Sequence, residues 1–136
     1  MIINIHPQLK LKEIKRMFHD QYPFLTICFY TKSHGWQESV AGAIEYDQNS
    51  TVEDAASFPA KGLIEIHYWQ KTGAVENEFS SRFHLHAQIF RRQGGVWVQT
   101  AGTDELTLEE QNEIGMKSEE PNLHGNGDGS WKEKRL

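Results

Sequence analysis

The chain has 136 residues and a formal net charge of −5 at pH 7. Its length suits one domain with a full hydrophobic core, and its acidic balance argues against general binding to nucleic acid or to an anionic membrane surface. The single cysteine, Cys28, excludes an internal disulfide. Since no long apolar run and no signal-peptide pattern occur, the sequence predicts a cytoplasmic protein without a transmembrane helix.

The first part of the chain predicts a strand, a helix and a second strand. Residues 1–6 are apolar and β-branched, which is typical of a strand, and Pro7 ends it. Residues 9–22 predict a helix, because apolar side chains recur there at helical spacing: Leu11, Ile14, Met17 and Phe18. Residues 24–32 alternate in the manner of a strand, with Leu25, Ile27 and Phe29 on one face.

The next segment is less regular. Residues 33–49 fit either a short extra strand near residues 39–46 or a long loop. Ser50 and Glu53 then have the spacing of a capping box, in which the hydroxyl and the carboxylate each bind a free main-chain amide at a helix start. The sequence therefore predicts a short helix here, which Pro59 ends.

A third strand and a second long helix follow. Residues 61–70 alternate as a strand, with a predicted inward set of Ile64, Ile66 and Tyr68. The opposite, outward set is Glu65, His67 and Trp69, although Leu63 and Trp69 would also suit a core. Thr72 is the predicted cap of a helix over residues 73–83, whose apolar stripe consists of Val75, Phe79 and Phe83.

Residues 83–100 predict a β-hairpin whose turn is Gly94-Gly95, since glycine reaches the positive φ angles of tight turns without steric cost. The alternation places an apolar set inward: Leu85, Ala87, Ile89, Val96 and Val98. The outward set is His86, Gln88, Phe90, Arg92, Trp97 and Gln99. Outward aromatic side chains with a polar rim are typical of contact surfaces. Either another part of the chain or a second subunit covers this face, or the face binds a different partner.

The end of the chain predicts a last helix and a tail. Thr107 and Glu110 have the spacing of a capping box, and Gly115 is the predicted end of the helix. From Met116 the composition is rich in glycine, charge and polar residues, and it cannot bury enough apolar surface to offset ordering. The predicted organisation is one domain, residues 1–115, followed by a disordered polar tail, residues 116–136.

The element order predicts an α+β fold. The expected architecture is a single, mainly antiparallel sheet with two main helices on one face, ferredoxin-like with an added C-terminal hairpin strand. A weak internal repeat, in which Phe18, Tyr22 and Phe29 match Phe79, Phe83 and Ile89, suits two halves related by a pseudo-twofold axis. The other face of such a sheet is open, and its candidate binding residues are Tyr30, Trp69, Phe90, Arg92, Trp97 and Gln99.

Residues with catalytic or metal-binding chemistry are sparse. His84 and His86 lie two apart in a predicted strand, a spacing that can present two imidazoles to one metal ion, with His67 as a candidate third ligand. Surface histidines explain the same pattern, and no cofactor is predicted. Cys28 beside a histidine would make a nucleophile pair, but a lone cysteine in a strand is more often a packing residue. No phosphate-binding or nucleophile-elbow motif occurs.

Residues 90–115, FRRQGGVWVQTAGTDELTLEEQNEIG, resemble a motif of a family of small uncharacterised proteins from Bacteroidetes-type bacteria. The matching positions are Phe90, Arg91, Gly95, Val96, Trp97, Thr103, Asp104, Thr107, Leu108, Glu109, Gln111, Asn112 and Gly115. The resemblance implies kinship and no particular activity. It draws attention to two polar pairs, which either form a site beside Arg91 and Trp97 or tie the last helix to the hairpin: Thr103–Asp104 and Gln111–Asn112.

These observations leave two functional hypotheses. The first is a non-catalytic cytoplasmic interaction domain that binds a protein partner, or a second copy of itself, through the aromatic sheet face. The second is a small-ligand or metal-binding enzyme centred on strand histidines and arginines: His67, His84, His86, Arg91 and Arg92. Neither nucleic acid nor a membrane is an expected partner.

Overall fold

Helices and two antiparallel sheets make up the part of the chain that the computed structural model describes, residues 1–31 and 43–120. The elements in chain order are β1 (Ile2–Ile5), α1 (Leu11–Gln21), β2 (Leu25–Tyr30), α2 (Val52–Ala56), β3 (Gly62–Glu65), α3 (Thr72–Phe83), β4 (His86–Gln93), β5 (Val96–Gln99) and α4 (Leu108–Glu119). A short 3-10 helix, Ala101–Thr103, precedes α4. The predicted α+β class is confirmed.

Two sheets replace the single ferredoxin-like sheet expected from the sequence. β1 pairs with β3 as a two-stranded ribbon, and the second sheet has the strand order β2-β4-β5. All of these pairings are antiparallel. The inward side chains of both sheets belong to one hydrophobic cluster, so the two sheets share a single core. The expectation of one sheet is therefore wrong, whereas the added hairpin strand is present as β5.

The internal repeat predicted from the sequence is confirmed in the strand pairing. Ile3 and Ile64 are as far apart in the sequence as the matched residues Phe18 and Phe79. They also lie opposite each other in the ribbon. The second sheet repeats this arrangement, because Cys28 lies opposite Gln88 and this pair has the separation of the matched residues Phe29 and Ile89. A pseudo-twofold axis therefore passes through both strand pairs.

The starts of α2 and α4 follow the same repeat. Each start is held by an isolated antiparallel bridge, Lys10 to Thr51 in the first half and Lys71 to Thr107 in the second. The capping box at Thr107 is confirmed, with Glu110 as its partner. The first capping box lies one residue later than predicted, at Thr51 and Asp54. Ser50 contributes its carbonyl instead, which accepts the Leu11 amide at 2.9 Å.

Two helix boundaries differ from the prediction. Thr72 does not cap α3 but is its first residue, and its buried hydroxyl donates to the Leu106 carbonyl at 2.8 Å. α4 continues through Gly115 to Glu119, because Gly115 lies buried against Phe24 rather than ending the helix. Residues 116–119 are thus helical, and residues 121–136 of the predicted tail lie outside the described residues.

The core follows the predicted apolar stripes. The stripe of α3 is buried, and so is that of α1 except for Met17, which is partly buried against the core. The inward set of β2 and the first three inward residues of the hairpin are also buried. Two predicted core residues are instead more than half exposed, Tyr68 and Val96. Tyr68 lies beyond the end of β3, and Val96 lies on β5, which forms the outer edge of its sheet.

The irregular segment after β2 lies partly outside the described residues, which resume at residue 43. Its described end pairs with β2: Glu45 forms an antiparallel bridge with Tyr30. The Thr31 amide donates to the Ile44 carbonyl at 2.9 Å, and the Tyr46 amide donates to the Phe29 carbonyl at 2.8 Å. This pairing favours the strand alternative for the described part of the segment.

Gly115→Ala is expected to destabilise the fold, although alanine is the better helix former by up to about 1 kcal/mol. An added Cβ would lie 2.8 Å from the Phe24 Cβ and 3.1 Å from the Phe24 carbonyl oxygen. Overpacking of this kind costs about 1–3 kcal/mol, which urea denaturation can measure. Gly102→Ala is the matched control, since nothing lies within 4 Å of its Cβ position. Equal stabilities of the two variants would contradict this packing.

Candidate functional site

The centre of the predicted open face is covered. Tyr30 is only 8% exposed, and Gln88, which was expected to point outward, is fully buried. Thr26 on the same face is also buried. The expectation of a continuous open aromatic face is therefore wrong. The six candidate binding residues fall into three places: Tyr30 in the interior, Trp69 after β3, and the remaining four on the hairpin.

The hairpin surface consists of Phe90, Arg92, Trp97 and Gln99, together with His19 of α1. Trp97 is 39% exposed, and the Arg92 guanidinium carbon lies 5.0 Å from the centroid of its ring. The His19 ring approaches Trp97 edge-on, with 6.0 Å between the ring centroids. Phe90 is half-buried, whereas Gln99 is exposed. Trp97 is therefore partly covered by neighbours that can carry positive charge.

The hairpin turn is fixed by the end of α4. Gly94 and Gly95 have φ angles of 58° and 89°, which glycine adopts without strain. The Gly94 amide donates to the Ser118 hydroxyl at 3.1 Å, and the Gly95 amide donates to the Glu119 carboxylate. The same carboxylate lies 3.8 Å from the Arg92 guanidinium. These contacts hold the hairpin surface in one conformation.

The second surface lies on the outer face of the two-stranded ribbon and consists of Ile2, Leu63, Glu65, His67 and Trp69. Ile2 and Leu63 are 57% and 56% exposed, and Trp69 is 60% exposed. This ribbon surface is continuous, because Glu65 lies opposite Ile2 and its carboxylate is 3.9 Å from the His67 ring. The His67 ring in turn stacks on Trp69, with centroids 5.1 Å apart and planes 5° apart.

The loop that carries Trp69 is held by main-chain contacts. The His67 amide donates to the Gln70 side-chain oxygen at 2.7 Å, and the Gln70 amide donates to the His67 carbonyl at 3.0 Å. The Tyr68 carbonyl accepts the Glu109 amide of α4 at 3.0 Å. The outward placement of Glu65, His67 and Trp69 agrees with the sequence prediction, and the exposed aromatic side chains belong to an ordered loop.

The three histidines predicted as candidate metal ligands, His67, His84 and His86, have separate neighbours in the structure. His84 is not in a strand but ends α3 with a φ of 56°, and its ring packs on Phe58 with centroids 4.6 Å apart. His67 stacks on Trp69, and His86 begins β4 opposite Tyr30. Within residues 1–31 and 43–120, no three histidine, cysteine or acidic side chains are grouped so that they could hold a metal ion.

Cys28 is a packing residue in its present environment. Its thiol lies 3.6 Å from the Lys15 ammonium, but burial outweighs that charge and raises the pKa of the thiol to about 11. The thiol therefore stays protonated at neutral pH, where only the thiolate is a strong nucleophile.

The polar pairs after the hairpin tie α4 to the rest of the domain. Gln111 is buried, accepts a hydrogen bond from Arg91 at 2.7 Å, and donates to the Thr103 carbonyl at 2.9 Å. Asn112 accepts the Phe24 amide at 2.9 Å. The tying alternative explains these contacts, and Trp97 takes no part in them.

A buried carboxylate that the sequence analysis missed lies beneath β4. Glu76 of α3 accepts the Ile89 amide at 2.6 Å and the Gln88 side-chain amide at 3.2 Å. The Ile89 carbonyl accepts the Thr100 hydroxyl at 2.7 Å. Burial raises the pKa of Glu76 to about 8, with a further contribution from buried Asp104. The position of Glu76 in the helix could have indicated its burial, because residue 76 falls on the same apolar stripe as Phe79 and Phe83.

Glu76→Gln is expected to remove a pH dependence of stability. The folded protein binds the Glu76 proton more tightly than the unfolded chain, whose carboxyl has a pKa near 4.5. The stability of the natural protein relative to the variant should therefore fall as pH rises from about 4.5 to about 8, at most by about 1.4 kcal/mol per pH unit. Urea denaturation of both proteins from pH 5 to about pH 9 measures this difference. A pH-independent difference would contradict the burial of an ionisable Glu76.

Comparison with known proteins adds no functional assignment. No protein-family model matches the chain, and neither a curated protein nor a solved structure with significant similarity is found. None of the helices among the described residues combines the length and the apolar character needed to cross a membrane. The argument for function therefore depends on the two surfaces and their chemistry.

Proposed function

We propose that the chain is a non-catalytic cytoplasmic protein-interaction domain whose contact surface is the ribbon surface. The observation that carries the proposal is the group of large apolar side chains there that are more than half exposed: Ile2, Leu63 and Trp69. Single exposed apolar side chains are ordinary, whereas a continuous group with a polar rim is typical of an interface.

The ribbon surface has the composition of an interface centre. Tryptophan and tyrosine dominate binding energies in protein interfaces, because they bury a large area with few rotatable bonds. Trp69 is already oriented by its stacking on His67, so little side-chain freedom would be lost on binding. Ile2 and Leu63 belong to a regular antiparallel strand pair, which gives these two side chains a rigid base.

The hairpin surface is the weaker candidate. Trp97 has less free area than Trp69, since Arg92 and His19 already contact its ring.

The acidic net charge and the carboxylate of Glu65 support a protein partner rather than a nucleic acid. The lone cysteine, half-buried beside Lys15, is compatible with a reducing compartment.

A photo-crosslinking amino acid at Leu63 tests the proposal in cells that express the chain naturally. We expect crosslinks from Leu63 to a defined protein, and at least tenfold fewer when Trp69→Ala is combined with the probe, because truncating a central aromatic anchor costs about 2 kcal/mol or more. The matched control carries the probe at Val96, which is also about half exposed but lies on the hairpin. Equal crosslinking from the two positions would overturn the assignment of the ribbon surface.

A further inference from the structure

The outer edge of β1 carries main-chain groups that have no partner among residues 1–31 and 43–120. The Met1 amine donates to the Ile66 carbonyl at 2.7 Å, and the Ile66 amide donates to the Met1 carbonyl at 2.8 Å. Because antiparallel strands alternate between pairs that exchange hydrogen bonds and pairs that do not, the amides and carbonyls of Ile2 and Asn4 point away from β3. No strand of the described residues pairs with that edge.

The two edges of the ribbon differ although the repeat relates them. On the β3 edge, the Leu63 carbonyl accepts a hydrogen bond from the Arg82 guanidinium of α3 at 2.8 Å. In the first half, the residue that matches Arg82 is Gln21, because these two residues are as far apart in the sequence as Phe18 and Phe79. Gln21 is exposed, and no hydrogen bond among the described residues joins it to β1. One acceptor of the β3 edge is therefore bound by its own helix, whereas none of the hydrogen bonds among the described residues joins α1 to the β1 edge.

We propose that β1 pairs antiparallel with β1 of a second copy of the chain, which joins the two ribbons into a four-stranded sheet. This inference goes beyond the proposed function, because it concerns the edge of the ribbon and leaves the ribbon surface available to another partner. A strand that meets its own copy across a twofold axis is self-complementary. With Ile3 opposite the partner's Ile3, Ile2 lies opposite the partner's Asn4. These two residues exchange two main-chain hydrogen bonds, and the twofold axis doubles them to four.

The side chains suit this register. On the outer face, each Ile2 would lie beside the partner's Asn4, so that no two like charges become neighbours across the new strand pair. Glu65 lies on β3, so the two β1 strands at the centre of the joined sheet would separate the Glu65 side chains of the two copies. The outer faces of the two ribbons would then be continuous, with Leu63 and Trp69 of each chain on the same side.

The contact is small, and its size sets the expected affinity. A four-residue edge with its adjacent side chains buries less than the about 800 Å² per partner of a standard interface. We therefore expect a weak, concentration-dependent association rather than a permanent dimer.

Sedimentation of the full chain from about 1 to about 500 µM tests the pairing, because this range brackets a weak interface. The expected mass rises from 15.7 kDa towards twice that value. Asn4→Pro removes an outward donor that the β1–β3 pairing does not use, as proline can in an edge strand. It should weaken association at least tenfold. Asn4→Ala is the matched control, because it removes the same side chain but keeps the main-chain amide, so it should associate more strongly than Asn4→Pro.

Hydrogen exchange of the natural chain provides a readout that needs no substitution, should Asn4→Pro fail to fold. The Ile2 and Asn4 amides should exchange more slowly as the concentration rises, whereas the Glu65 amide should not change. A monomer at every concentration, or a dimer with unprotected Ile2 and Asn4 amides, overturns the pairing. Such a result would leave the proposed function standing if Leu63 crosslinks to another protein, whereas the absence of selective Leu63 crosslinks would overturn the proposed function itself.

Discussion

The pairing of the two halves of the chain is the constraint on which the rest of the structure depends. Each half contributes one strand to the ribbon and one to the β2–β4 pair of the second sheet, and the middle residue pairs are Ile3 with Ile64 and Cys28 with Gln88. The side chains that these strands direct inward form one cluster with the apolar stripes of α1 and α3. The helices cover the core only because both strand pairs bring the halves together. The outer face of the ribbon, which no other described element covers, becomes the place where apolar side chains reach solvent.

Local periodicity predicted most of the elements because it reports directly on burial. The stripe that contains Val75 and Phe79 and the alternation around Ile27 each have only one arrangement that buries them. The choice between one sheet and two is a matter of long-range pairing, and no local pattern specifies which strands become neighbours. The internal repeat was the one signal that carried this information, since matched residues meet at the axis.

The candidate site was predictable in direction but not in extent. The outward position of Trp69 followed from alternation with Ile64 and Ile66, and the structure agrees. The burial of Tyr30 and Gln88 could not be inferred, because alternation indicates which face a side chain occupies and not whether another layer covers that face. Glu76 was missed for a related reason. From the sequence alone, a charged side chain on an apolar stripe is expected at the border between the buried and the exposed face of the helix. Only the Ile89 amide on β4, which donates to Glu76, explains its burial.

The shared strand pairs also determine how the domain comes apart. Neither half can complete a two-stranded sheet from its own β1 and β2, or from its own β3 and β4, since β1 pairs with β3 and β2 pairs with β4. Separating the halves would break both strand pairs and open the common cluster at once. The repeat therefore does not make two independently stable units. It makes a single cooperative one, in which the loss of either half removes the surface against which the other is folded.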